Sequence, residues 1–342
     1  NTKTKDVIWN KALPVINGAF SPDGGPKANY TTNLNMCETS NKGFELALNT
    51  RNIITKNFTW SSSVTFNHNK EKITKLSGGD SDVLNNGDTG YALALGEAIN
   101  SYYHYKLDGV WQKGEETDAA VFGAAPGDLK INIPNLVKES DGRFYKIDEE
   151  TGSAAVDENG NVIYYTSDNK YTPSDADYQI LGHNSPDWSL GFQNNFTWKD
   201  FDLSVFVYAR YGQMFAYDML TSYDPKGIRN FPTYFNYWTE NNPSNDFPAA
   251  NANKGLEQYT GYYALRYVDG SFIKIKNITL GYSLPKSILK SAGIEKCRFY
   301  ATITNPFVFA KSHLLKDYDP EMNGSLKYPL TKQFVFGVNV TF

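Results

Sequence analysis

Histidines and cysteines are the residues of this sequence that could ligate a metal or act as nucleophiles. The four histidines lie far apart and lack metal-ligand spacing: His68, His104, His183 and His313. Cys37 and Cys297 each lack the CxxC partner of a zinc or dithiol site, which leaves either one long-range disulfide or two separate thiols. The sequence also lacks the GxSxG, HExxH and P-loop motifs. We therefore predict that the chain has no catalytic residues and is not an enzyme.

Oxygen-bearing side chains form two further candidate sites, both in polar segments. Residues 148–150 are consecutive carboxylates that could hide the acid and base of a glycosidase, although a solvated loop is the simpler interpretation. Residues with the alternate spacing that opens an EF-hand loop follow at Asp157, Asn159 and Asn161. However, the position that needs glycine holds Val162, and the twelfth position holds Asp168 instead of glutamate. A polar β-turn is therefore favoured over calcium, and we predict no cofactor and no metal.

Aromatic residues are abundant and could recognise a ligand. The chain of 342 residues has 24 Tyr, 21 Phe and 6 Trp, which make up 15% of it. Many of them lie in the polar segment 218–267, among them Tyr237 and Trp238. Exposed rings beside Asn and Asp side chains suit the recognition of sugars or peptides. The alternative, equally compatible with the sequence, is a loop folded over a small core of its own.

Strict alternation of apolar and polar residues indicates the elements that must position these side chains. Residues 188–198 and 201–211 each alternate over about ten positions, enough for a strand to cross a tilted bilayer. Only two polar residues join them, which predicts a hairpin with a tight turn. Residues 44–51 and 58–67 predict a second hairpin, with its connection at 52–56.

Irregularities in the alternation predict where the strands bend or end. The apolar positions change phase within 272–284, which predicts a β-bulge near Lys276 and Asn277. A helix of one or two turns is predicted at 285–292, and the whole chain at about eight to ten strands. Some connections are very short, whereas four are long and polar: 77–96, 133–184, 218–267 and 311–332.

The two faces of the predicted strands indicate a membrane environment. Trp188 and Trp198 lie at opposite ends of one apolar face, which would place an indole at each bilayer surface. The opposite face is polar, and loops that are long at one end and short at the other are typical of outer-membrane barrels. The mean hydropathy of −0.50 and the lack of a run of about 18 apolar residues exclude membrane helices. We predict an all-β fold, an antiparallel transmembrane β-barrel with long extracellular loops and short periplasmic turns.

Two other classes remain open at this point. One is a soluble, secreted all-β protein, either a carbohydrate-binding protein or a glycosidase, with a core between two sheets. The other is a surface adhesin barrel that transports nothing. A nucleic-acid-binding surface is not expected, because the net charge is −4 and no basic block occurs.

Several short motifs carry a resemblance to a known family. They are NKGFE at 41–45, GDLK at 127–130, GHNSPDW at 182–188, KDFDLS at 199–204, VDGSFIKIKNITLGYSLP at 268–285 and DYDPE at 317–321. In their order and spacing they resemble the C-terminal part of SusC/RagA-type TonB-dependent outer-membrane transporters. The segment at 268–285 resembles the family's sequence almost position by position, whereas Asp317 stands where the family usually has glycine. The terminal Phe342 resembles the signal that the barrel-assembly machinery reads.

This resemblance implies that residues 1–342 are the C-terminal part of a plugged barrel of about 22 strands. The plug domain, the TonB box and the early strands are then expected outside this sequence. The implied function is TonB-dependent import of an oligosaccharide or oligopeptide across the cell outer membrane. The implied partners are a SusD-like surface lipoprotein that acts as a lid, the TonB–ExbB–ExbD complex and outer-membrane lipid.

Four residues are predicted to contact cargo or the lid. Tyr208 and Arg210 have the polar, lumen-facing parity of their strand, and Tyr237 and Trp238 lie in the aromatic loop. The prediction depends on side-chain type and on the predicted face of the strand.

Overall fold

The computed structural model describes residues 1–12, 31–76, 83–86, 91–226, 230–290 and 293–342. Over these residues the chain forms strands β1 (Thr2–Ala12), β2 (Thr31–Ile54), β3 (Phe58–Leu76), β4 (Val83–Asn86), β5 (Tyr91–Ala94), β6 (Ser101–His104), β7 (Lys106–Val110), β8 (Leu129–Asn132), β9 (Leu136–Lys138), β10 (Phe144–Lys146), β11 (Tyr164–Tyr165), β12 (Gln179–His183), β13 (Trp188–Trp198), β14 (Phe201–Tyr211), β15 (Met214–Ala216), β16 (Tyr267–Asp269), β17 (Phe272–Ser283), β18 (Lys296–Ala310) and β19 (Gln333–Thr341). The α-helices in the same residues are α1 (Glu116–Val121) and α2 (Lys286–Leu289). No helix of this described part is both long enough and apolar enough to cross a membrane.

Eight of these strands form one antiparallel sheet in the order β1-β2-β3-β13-β14-β17-β18-β19. This confirms the all-β, antiparallel fold class, with β1 and β19 at the edges of an open sheet. The hairpin of β13 and β14 has the predicted two-residue turn, in which Lys199 adopts a φ of 51°. The hairpin of β2 and β3 is also confirmed, but its connection is shorter than predicted because β2 continues to Ile54.

The phase change in β17 is a β-bulge, as the sequence predicts. Phe206 of β14 pairs with Asn277 and the next residue, Val207, pairs with Ile275, so Lys276 has no pairing partner on β14. The predicted helix at 285–292 exists only as α2, and residues 291–292 lie outside the described part. Cys37 and Cys297 are buried free thiols, so the disulfide alternative does not apply.

The sheet has one apolar and one polar face, because its register aligns residues of like polarity across neighbouring strands. One apolar row contains Leu46, Phe66, Leu190, Ala209 and Ile273. A polar row on the other face contains Arg51, Ser61, Asn195, Ser204, Thr279 and Thr302. Large side chains of the apolar face stay exposed, among them Phe44, Trp198, Phe299 and Phe336. An apolar surface of this extent requires a partner or a lipid environment.

One polar cluster interrupts the apolar face, at the position where Asn194 breaks the alternation of β13. The Asn194 Oδ1 atom accepts hydrogen bonds from Trp60 Nε1 at 3.0 Å and from Ser62 Oγ at 2.7 Å. Asn52 Nδ2 in turn donates to Ser62 Oγ at 2.8 Å. The cluster satisfies its own oxygens, which lowers the cost of polar groups in apolar surroundings.

Three long connections of the described part leave the same end of the sheet and pack together. They are the first long loop (77–187), the second long loop (212–271) and the third long loop (311–332), and parts of the first and second lie outside the described residues. Their shared core contains Val110 and Leu129 from the first loop, Leu315 from the third, and most of its members from the second. We call this packed region the loop layer. Its short strands and helix α1 were not predicted from the sequence.

Candidate functional site

Tyr208 and Arg210 lie side by side on the polar face of β14, as predicted. Arg210 Nε donates a hydrogen bond of 2.7 Å to the Tyr208 hydroxyl, and Arg210 Nη1 lies 3.3 Å from Asn323 Oδ1 of the third long loop. The Lys276 ammonium lies 5.2 Å from the centre of the Tyr208 ring. These two residues therefore connect the sheet to the third loop, and their contact with cargo stays a prediction.

Next to them, two lysines of β17 hold the third long loop against the sheet. Lys274 Nζ lies 2.5 Å from Asp319 Oδ2 and 2.9 Å from Glu321 Oε2, and Lys276 Nζ lies 2.6 Å from Glu321 Oε1. The Lys274 side chain is 0% exposed. These bonds join the IKIK and DPE segments, which belong to two separate motifs of the sequence. Both segments carry their charges at alternate positions, and this is the signal that could have revealed the pairing.

The turn that presents these carboxylates is fixed by its own hydrogen bonds. Asp319 Oδ1 accepts the backbone N–H of Glu321 at 3.1 Å, and Pro320 begins a single 3-10 turn. Asn323 ends the turn with a φ of 51°, a conformation that asparagine tolerates better than most residues. The turn thus fixes the Asp319 carboxylate, and the two lysines of β17 bind the Glu321 carboxylate.

Burial alone would raise the pKa of Glu321, but the hydrogen bonds from Lys276 and Lys274 outweigh it and hold this pKa below its usual value of 4.5. A carboxylate with a lowered pKa stabilises the folded state above the usual pKa and loses that contribution as the pH falls through the lowered value. We therefore expect the third loop to stay seated at neutral pH and to loosen below about pH 4.5.

A nitroxide at position 328 can test this pH dependence, because Tyr328 is 97% exposed on the same loop. In the variant Tyr328→Cys, the spin label should become more mobile as the pH falls from about 5 to about 3. Adding Glu321→Gln should raise the mobility already at neutral pH and weaken its dependence on pH. A flat profile in Tyr328→Cys alone would contradict the assignment.

Tyr237 and Trp238 were both predicted to contact cargo or the lid, but they differ in their exposure to solvent. Tyr237 is 40% exposed, whereas Trp238 is 7% exposed and belongs to the core of the loop layer. Trp238 Nε1 donates to Gln112 Oε1 at 2.9 Å, which ties the second loop to the first. Of the two alternatives for segment 218–267, the loop folded over its own core is therefore the main one. Tyr237 remains the exposed candidate for a contact with cargo or lid.

The oxygen-rich segments mainly stabilise turns. Asp157 Oδ1 accepts the backbone N–H groups of Asn159 and Asn161, each at 2.9 Å, which is the arrangement of a capped polar turn. Asp148 Oδ1 accepts the backbone N–H of Thr151 at 2.8 Å in the same way. Within the described ranges, no group of three or more His, Cys, Asp or Glu side chains could hold a metal ion.

A cavity lies where the three long loops meet, and no part of it was foreseen from the sequence. Its volume is about 430 Å³, and its lining includes Lys106 and Leu181 of the first loop, Met214 and Asp246 of the second and Leu314 of the third. Cavities of this size are typical of small-ligand sites. Sequence patterns could not reveal it, because its walls come from segments that are distant along the chain.

Comparison with known proteins agrees with this architecture. No family model matches the chain. It is 28% identical to the TonB-dependent receptor P3 of Formosa agariphila and 26% identical to the TonB-dependent receptor SusC of Bacteroides thetaiotaomicron. Each match covers 99% of this chain but only 31% and 29% of the respective relative. The chain thus spans about a third of the length of these curated relatives.

The resemblance to SusC/RagA-type transporters is confirmed. A solved structure of the RagAB peptide transporter superposes with a TM-score of 0.68 at 24% identity, covering 99% of this chain and 32% of that one. A second structure, of the RagAB peptide importer in the "open-open" state, gives a TM-score of 0.66 at 22% identity with the same coverage. The open eight-stranded sheet therefore has the fold of one part of a RagA-like protein.

Proposed function

We propose that this chain is part of a TonB-dependent importer in the cell outer membrane, which takes up an oligosaccharide or an oligopeptide. The observation that carries the proposal is the two-faced sheet, in which exposed apolar rows lie opposite rows of polar and charged residues. Lipid covers the first face and water in a lumen covers the second. A soluble protein with a core between two sheets would bury the apolar rows, whereas here many of their large side chains are exposed.

The loop layer suits the extracellular end of such a transporter. Its three long loops leave one end of the sheet, and the short turns of the β2–β3 and β13–β14 hairpins lie at the other. Long loops on the outside and short turns toward the periplasm are the usual arrangement in outer-membrane barrels. The loop layer is then the surface that meets a SusD-like lipoprotein lid, with Tyr237 as an exposed contact. Energy comes from the TonB–ExbB–ExbD complex through the part of the protein that precedes this sequence.

Two further assignments belong to this proposal. Phe342 follows β19 and is exposed, which suits a residue read by the barrel-assembly machinery. The chain moves its cargo without chemical change, so no residue is assigned a catalytic role and no cofactor or metal is required. The glycosidase alternative would need a pair of facing carboxylates, and we assign none.

The proposal is tested by fractionation and uptake with the full-length protein in its native organism. We expect an antibody against the exposed segment 239–243 to detect a protein several times heavier than 38.4 kDa, in the outer membrane and soluble only in detergent. Deleting the gene, or deleting TonB, should abolish growth on the cognate glycan or peptide and leave growth on monomers unchanged. A detergent-independent protein of 38.4 kDa would instead support the soluble carbohydrate-binding class.

A further inference from the structure

The cavity at the junction of the three long loops has the chemistry of a specific binding site. Its volume of about 430 Å³ far exceeds the roughly 10–15 Å³ that a single water molecule needs. Large aliphatic and thioether side chains form one part of its wall: Leu107, Ile180, Leu181, Met214, Leu265 and Leu314. Binding an apolar ligand group against such a wall is favourable, because it removes apolar surface from water. Binding a hydroxyl-rich group there is much less favourable.

The aromatic residues of the cavity are already engaged with other rings. Tyr105 packs edge-to-face against Tyr178 with ring centroids 4.7 Å apart. The Tyr267 ring lies 5.0 Å from the Tyr102 ring, centroid to centroid, and the Arg266 guanidinium lies 5.7 Å from the centre of the Tyr267 ring. A pyranose ring stacks on an open aromatic face, and here the neighbouring side chains compete for the faces. The aromatic lining therefore does not favour a sugar.

Polar groups with unused hydrogen-bonding capacity lie beside the apolar wall. Lys106 is an exposed residue of the lining and forms no ion pair within the part of the chain that the structure describes, whereas the Asp246 carboxylate of the same lining lies 3.0 Å from His313 Nε2. Asn245 uses its Oδ1 to accept from Val110 N at 3.1 Å, which leaves its amide N–H donors for a ligand. Gln179 donates through Nε2 to the Asn132 carbonyl at 2.9 Å, which leaves its Oε1 as an acceptor.

We propose that this cavity binds an oligopeptide by one of its apolar side chains. The aliphatic wall covers the side chain, Asn245 and Gln179 match the C=O and N–H of the adjacent peptide unit, and Lys106 pairs with the peptide's carboxylate. This inference rests on the proposed import function, and it names oligopeptide over oligosaccharide as the cargo class. Because all three loops form the wall, the site exists only when the loop layer is folded.

The test uses the purified full-length protein with its lipoprotein partner in detergent, and measures binding by calorimetry. The probes are Gly-Gly-Gly-Leu, Gly-Gly-Gly-Ser, the C-terminally amidated form of the first, and maltotetraose. We expect the leucine peptide to bind at least about tenfold more tightly than the serine peptide, since burial of a leucine side chain is worth about that factor. Amidation should weaken binding about fivefold or more, and maltotetraose should not compete.

Two variants and one matched control locate the binding. Leu181→Trp fills the cavity and should weaken binding of the leucine peptide about tenfold or more, whereas Leu95→Trp, at an exposed position of the same loop, should leave it unchanged. Lys106→Gln keeps the apolar wall intact and should remove most of the difference in affinity between the peptide with a free C-terminal carboxylate and the amidated peptide. This second variant keeps the test decisive if Leu181→Trp disturbs the loop layer.

The outcomes separate this inference from the proposed function. Peptide binding that neither Leu181→Trp nor Lys106→Gln weakens would overturn the site. Binding of maltotetraose that depends on Leu181 would overturn the cargo class while uptake by the intact protein still supports import. Loss of TonB-dependent uptake of every glycan and peptide offered would instead overturn the proposed function itself.

Discussion

Replacing Lys274 with alanine should release the third long loop from the sheet, at a cost of about 3–5 kcal/mol to the seated state. The Lys274 ammonium is completely buried and binds both Asp319 and Glu321. Its removal leaves the largely buried Asp319 carboxylate without its lysine partner, whereas Glu321 keeps Lys276, and uncompensated buried charge is the costly product of breaking such a cluster. The expected effect is local, because the strands on either side keep their ladder hydrogen bonds.

Hydrogen exchange of the turn amides measures this release. The Met322 N–H donates to the Asp319 carbonyl at 3.0 Å, and the Asn323 N–H donates to the Pro320 carbonyl at 3.1 Å, so both are protected while the turn is seated. A loss of about 3 kcal/mol corresponds to an exchange rate raised about a hundredfold. The matched control is Lys75→Ala, which removes an exposed lysine 3.7 Å from Glu38 and should change exchange by less than about threefold. Equal exchange in Lys274→Ala and Lys75→Ala would show that the cluster contributes little to seating the loop.

Replacing Phe247 with alanine should open the whole loop layer and cost about 3–5 kcal/mol. Phe247 is 2% exposed, and its ring stacks on that of Phe235 with centroids 4.2 Å apart. The cavity left by the missing ring removes contacts from a core to which all three long loops contribute. We therefore expect faster hydrogen exchange in the second loop and also at the first-loop amide of Trp111, which donates to the Asp128 carbonyl at 2.9 Å.

The matched control for Phe247→Ala is Tyr263→Ala in the same loop, where the ring is half exposed. It should alter exchange only near position 263 and cost less than about 1 kcal/mol. If Phe247→Ala affects the second loop alone, the loops fold independently and the shared core does not couple them.

The sheet could be predicted from the sequence because its signal is local. Alternation over about ten residues places each side chain on one face, so the hairpin of residues 188–211 and the bulge at Lys276 follow from neighbouring positions. The register of the sheet agrees with this pattern, since each strand aligns its apolar face with that of the next strand. The predicted end of β2 was wrong, because the alternation stops there and only residue propensities remain as a signal. The strand continues to Ile54.

The loop layer could not be predicted, because its contacts join residues that are far apart along the chain. Lys274 and Asp319 are separated by 45 residues, and Trp238 and Gln112 by 126. Residue type gave no way to distinguish the exposed Tyr237 from the buried Trp238, since both are amphipathic rings in a polar segment. The cavity depends on all three loops at once, so no single segment carries a signature of it.

The common core of the long loops also limits how this end of the molecule can be remodelled by recombination. Loops that fold independently can be exchanged between homologues one at a time, and each exchange tests a new specificity. Here a foreign second loop would have to supply the partner of Gln112 and cover Leu315 of the third. Chimaeras that transfer all three long loops as one cassette should therefore assemble, and those that transfer a single loop should lose the packing that all of them share.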